Sequence, residues 1–129
     1  MITAPSELAF PDYDGNGMFK SLGNILVNVE VGMLFIAMHG KPQRLRVNGT
    51  ATVSSEDPLL ERTVGAQLMV RVTTRVIFPN CPRYTPDMQL IDPSIYLPRA
   101  GFDPPEPARK GFDSFKDCIH PRQLTFRAD

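Results

Sequence analysis

Three short stretches of this chain carry residue types and spacings that could do chemistry. The first is Asp12-Tyr13-Asp14-Gly15-Asn16-Gly17, followed by Met18-Phe19-Lys20-Ser21-Leu22. A phosphate needs several directed N–H donors and a positive group, and a glycine-containing loop that enters a helix offers both. Gly15 and Gly17 would loosen the loop, with Lys20 supplying charge and Ser21 a hydroxyl. An ordinary solvated helix start is the competing reading of the same residues. The second stretch sets Arg44, Arg46 and Asn48 at alternate positions, with apolar Leu45 and Val47 between them. On a strand these three would share one face, where arginines can bind a phosphate or lie against an aromatic ring. A solvent face is the competing reading, and it is the one adopted for Arg71 and Arg75. The third stretch is Phe78-Pro79-Asn80-Cys81-Pro82-Arg83-Tyr84, a proline-held loop. A catalytic Cys81 would need a basic partner, and spacing fixes neither His39 nor His120 beside it, so Cys81 reads as structural.

No P-loop, dinucleotide-binding glycine motif or nucleophile elbow occurs. Cys81, Cys118 and His120 do not make a metal set. Chemistry this sparse points to a cofactor as the reactive group, if the protein is an enzyme. Lys plus Arg and Asp plus Glu number 14 each, which gives no net field toward nucleic acid or an anionic membrane. No run approaches the roughly 20 apolar residues of a membrane span, and the first residues lack the basic and apolar regions of a signal peptide. A cytoplasmic protein is the expectation.

The elements that would position these residues are short. A length of 129 residues suits one domain, split by composition into a patterned part (1–78) and a proline-punctuated tail (79–129). Leu8-Ala9-Phe10 reads as the end of a strand closed by Pro11. The apolar positions 18, 22, 25 and 26 fall on one face of a helix. A buried strand is expected from Val29 to Met38, and a half-buried one from Arg44 to Val53. Asp57 and Pro58 suit the N-cap and first position of a short helix through Arg62. Ala66 to Phe78 alternates, with Leu68, Val70, Val72, Thr74, Val76 and Phe78 on one face. Its length predicts a bend or bulge. The tail has one candidate helix, Asp113 to Ile119, and is expected to wrap over the sheet or over a partner subunit. A small antiparallel barrel and an open α+β sheet both fit this pattern.

Four blocks in register resemble the pyridoxamine 5′-phosphate oxidase-related, FMN-binding family. They are 8–25, Gly32-Met33-Leu34-Phe35-Ile36, Arg44-Leu45-Arg46-Val47-Asn48-Gly49-Thr50-Ala51, and the loop from Phe78 to Tyr84. The resemblance implies a mainly β split barrel that forms a homodimer, with FMN at the subunit interface. It assigns Lys20 and Ser21 to the flavin phosphate, counts Gly15 and Asn16 of the same loop among the cofactor-binding residues, and places Arg44 and Arg46 near the flavin. Relatives carry further strands ahead of the Leu8 strand, so the barrel is expected to be incomplete on that side. Its open edge would then be covered by a second subunit or by the tail after Tyr84. Relatives also have a tryptophan before a basic pair, whereas here Ala108 precedes Arg109-Lys110. The implied function is flavin-mediated redox of a small molecule by an oxidoreductase-like flavoprotein. The alternative is a non-catalytic interaction module formed from an incomplete barrel.

Overall fold

A computed structural model describes residues 1–15, 17–102, 104–105 and 107–118. Its centre is one antiparallel sheet of five strands: β1 (Ile2–Ala4), β2 (Glu7–Tyr13), β3 (Glu30–Ala37), β4 (Gln43–Ser54) and β5 (Ala66–Asn80). The order across the sheet is β1-β2-β5-β4-β3, and β1 and β3 do not pair, so the sheet is open rather than a closed barrel. One helix, α1 (Lys20–Val27), lies on the connection from β2 to β3, which crosses the sheet from one side to the other. This is the mainly β architecture that the alternating segments call for, left unclosed as expected of an incomplete barrel.

Several elements differ from their expected bounds for physical reasons. β2 does not stop at Pro11 but runs through it to Tyr13, with Pro11 opposite Met69 of β5. The Ala9 N–H donates outward to the Met1 carbonyl at 2.8 Å, so two residues on, the nitrogen of Pro11 faces the same outer side. β1 has ended there, and an edge is where a strand tolerates proline. From Glu7 to Ala9 the outer edge of β2 is thus covered by Met1–Ala4, with Ile2 opposite Leu8 and Ala4 opposite Glu7, and among the described residues no part of the tail pairs there. β3 is an edge strand with alternating half-buried positions, rather than a buried one. The turn at Pro58–Arg62 is 3-10 rather than α-helical, capped as expected by Asp57, whose side chain accepts from the Leu59 N–H at 2.9 Å.

β5 bears the expected bulge. Asn48 pairs with Val76 and Gly49 with Thr74, which leaves Arg75 without an opposite number. The extra residue reverses the facing of everything after it. Ile77 and Pro79, opposite Val47 and Leu45, join the face of Leu68, Val70 and Val72. Val76 and Phe78 join the Arg71 face, contrary to the simple alternation.

The core lies at one end of the sheet. Leu22 of α1 packs on Ala51, Val70 and Val72, with Phe19, Ile25, Val53 and Leu68 around them. Met18 precedes the helix and Leu26 is exposed, so the buried face of α1 is narrower than the periodicity suggests. Ala9 and Met69 are fully buried on the opposite face. The other end of the sheet is open on both faces. One face forms a concavity of about 710 Å³, lined chiefly by Leu8, Phe10, Met33, Phe35, Leu45 and Ile77. The other leaves Leu34, Val76 and Phe78 exposed.

The tail travels along this frame by point contacts. The Thr85 hydroxyl accepts from Arg44, the Met88 N–H donates to the Met38 carbonyl at 2.6 Å, and the Asp87 carboxylate accepts from the Gly40 N–H. Pro98 sits where a side chain at Gly65 would be. Two 3-10 turns follow, Ala108–Gly111 and Asp113–Cys118. Ile119 and His120 lie outside the described residues.

Candidate functional site

The loop between β2 and α1 is built from left-handed residues. Gly17 has φ 74° and Phe19, the N-cap of α1, has φ 49° and ψ 36°. A bulky residue rarely adopts that conformation, and packing of Phe19 against the core offsets its cost. Phe19 offers no side-chain acceptor to the first turn, which also contains no acid. The first helical bond runs from the Gly23 N–H to the Phe19 carbonyl, at 2.7 Å. The N–H groups of Lys20, Ser21 and Leu22 therefore have no acceptor within the helix. Lys20 and Ser21 are exposed at that end, as is Gly15 in the loop; Asn16 lies outside the described residues.

Beneath this loop is an acidic pair that the motif reading passed over. Both oxygens of Asp14 accept from Nζ of Lys110, each at 2.6 Å, and the Lys110 side chain is only 6% exposed. Asp12 Oδ2 is buried with no hydrogen-bond partner among the described residues. Burial, and then the charge of Asp14, push the Asp12 carboxyl above its usual range. The available signals were two acids just ahead of a glycine pair and a basic pair in the tail, but nothing in the spacing joins residues 14 and 110.

Arg44 and Arg46 are half-buried on the β4 face that also carries Asn48. Arg44 Nε donates to Thr85 Oγ1 at 2.7 Å. Their cross-strand neighbours on β3 are Ile36 and Leu34, and on β5 they are Asn80 and Phe78. α1 packs on the other face, around Ala51, which lies roughly 17 Å along β4 from Arg46 at about 3.3 Å per residue. Within one chain, then, the sheet stands between Lys20 and Ser21 on one side and Arg44 and Arg46 on the other.

Arg71 is not a solvated residue. Its Nε and Nη2 donate to the two oxygens of Asp57, at 2.5 and 3.0 Å, and its Nη1 donates to Glu7 at 2.7 Å. It ties the 3-10 turn to β5 and β2. The guanidinium, followed by the Leu59 N–H, holds the Asp57 carboxyl below its usual range. The Thr3 hydroxyl and then Arg71 do the same for Glu7. Arg75, on the bulge, pairs with Glu30.

Cys81 and Cys118 are free and exposed, and His39 is paired with Asp87 at 3.3 Å. Among the described residues no group of His, Cys, Asp and Glu could hold a metal ion, and no helix is long and apolar enough to cross a membrane. No model of a known protein family matches the sequence, and no curated protein matches it.

Proposed function

We propose that this protein binds FMN between two copies of itself and uses it for redox chemistry on a small molecule. The observation that carries this reading is the uncapped start of α1. Orphan N–H groups, the Ser21 hydroxyl and the Lys20 ammonium are presented together behind a left-handed turn. That donor set suits a phosphate monoester. The Arg44 and Arg46 face suits the ring system, since guanidinium donors alternate there with the apolar side chains of Leu34, Ile36 and Phe78. One molecule cannot touch both sets on one chain, so the phosphate would rest on one protomer and the ring against the other. The exposed apolar residues at the open end of the sheet support such a pairing. When bound, FMN supplies the acceptance and return of a hydride or of single electrons. The chain's own residues anchor the phosphate, orient the ring and exclude water. Two free exposed cysteines suit a reducing, cytoplasmic setting.

Titration with FMN, followed by quenching of flavin fluorescence, tests this reading. Lys20→Ala should weaken FMN by about 1.5–3 kcal/mol, the scale of a hydrogen bond to a charged group. Ser21→Ala should cost less, and riboflavin, which lacks the phosphate, should be indifferent to both changes. A colourless protein that binds neither flavin would favour the non-catalytic interaction module.

A further inference from the structure

We infer that Lys110, far along the tail, is the positioning residue of the phosphate loop: it neutralises Asp14 and fastens the loop in the shape that presents Lys20 and Ser21. This inference rests on the phosphate reading of that loop and adds to it a dependence on the tail.

The loop has an electrostatic problem as a phosphate site. It carries two carboxylates, Asp12 and Asp14, within a few residues of the two groups that would greet the anion. Like charges at such distances oppose binding even through partly solvated surroundings. Oδ2 of Asp12 is buried, and burial raises its carboxyl above the usual range. Asp14 is 40% exposed, and its charge is met instead by Lys110, whose side chain is 6% exposed and spans both carboxylate oxygens at 2.6 Å. A lysine buried to that degree is rarely without purpose, because removing an ammonium from water is costly unless a partner compensates it. The contact also joins residues 96 positions apart, and so ties the 3-10 turn of Ala108–Gly111 to the loop that leads into the left-handed Gly17 and Phe19. With Asp14 paired, its charge no longer stands uncompensated in the loop that presents Lys20. By linkage, what tightens the loop for the phosphate also tightens the tail.

The test uses the full chain with FMN and riboflavin as probes. Lys110→Gln keeps a hydrogen-bond donor and removes the charge. FMN should bind about tenfold more weakly, the scale of one uncompensated charge near an anion. Riboflavin affinity should be unchanged, and Lys110→Arg should retain most of the FMN affinity. The double variant Asp14→Asn with Lys110→Gln should recover FMN binding to within about twofold of the parent, since neither charge remains. A double variant as weak as Lys110→Gln alone would mean that Lys110 touches the phosphate directly, and the inference would be overturned. Parallel losses for FMN and riboflavin would overturn it too, as the mark of a merely structural contact. Amide exchange at Gly15 and Gly17 gives a reading that needs no flavin. Exchange should quicken in Lys110→Gln, and unchanged protection would refute the clamp even if the parent protein bound no FMN.

Discussion

Gly49 of β4 approaches Thr73 of β5 so closely that a β-carbon on Gly49 would lie 2.0 Å from the Thr73 carbonyl oxygen. The obstacle is backbone in the middle of a paired strand, so it cannot swing aside as a side chain could. Gly23 of α1 is the opposite case, with nothing within 4 Å of an added β-carbon and an ordinary helical conformation. The same substitution should therefore have opposite signs at the two sites. Gly49→Ala should destabilise by about 3 kcal/mol, the upper end of the usual overpacking cost. Gly23→Ala should stabilise by about 0.5–1 kcal/mol through reduced freedom of the unfolded chain. Denaturant titrations of the two variants check both.

Acid should loosen the Arg71 cluster. Asp57 and Glu7 have folded values below their unfolded ones, so their contribution is complete above the ordinary carboxylate range of about pH 4. It is lost as pH falls through the lowered folded values. Arg71→Met should therefore lower Tm at pH 7, and its deficit should shrink between about pH 4 and pH 2. A deficit that stayed constant over that range would mean that Arg71 acts through the packing of its stem.

Asp12 should behave in the reverse sense. Its folded value is raised, so it favours the folded state only below the unfolded value and opposes folding once ionised. Asp12→Asn should raise Tm at pH 7, with the gain fading as pH falls below about 4. The absence of any gain at pH 7 would show that Oδ2 has a partner after all.

The open end of the sheet should govern self-association. Sedimentation at micromolar concentration should find a dimer. Phe78→Asp, on the face of Arg44 and Arg46, should shift it toward monomer and weaken FMN without unfolding the chain. Monomeric parent protein would remove the basis for a shared flavin site.

Much of this architecture was legible because one-sided burial writes itself into alternation. The β4 face, the Asp57 cap and the length-induced bulge all follow from local rules. Less legible were features set by distant neighbours. Pro11 looked like a terminator because the sequence does not say that β2 is an edge at that point. Arg71 looked solvated because its two acids lie 14 and 64 residues away. For the candidate site, Lys20 and Ser21 were found through their loop, while Lys110 was invisible without the fold. That Arg44 and Arg46 lie across the sheet from α1 depends on the crossover path of the chain, which no local pattern encodes.

The unpaired Arg75 gives β5 a change of parity partway along its length. Before it, even-numbered residues belong to the face that α1 covers; after it, odd-numbered ones do. Deleting Arg75 would close the bulge and leave Val76, Ile77 and Phe78 opposite Asn48, Val47 and Arg46, so both surfaces of the open end would keep their residues. What the strand would lose is the extra local twist and bend that a bulge confers. For a designer, this position is a natural place to alter the twist of the open end while leaving its two surfaces and the core end untouched.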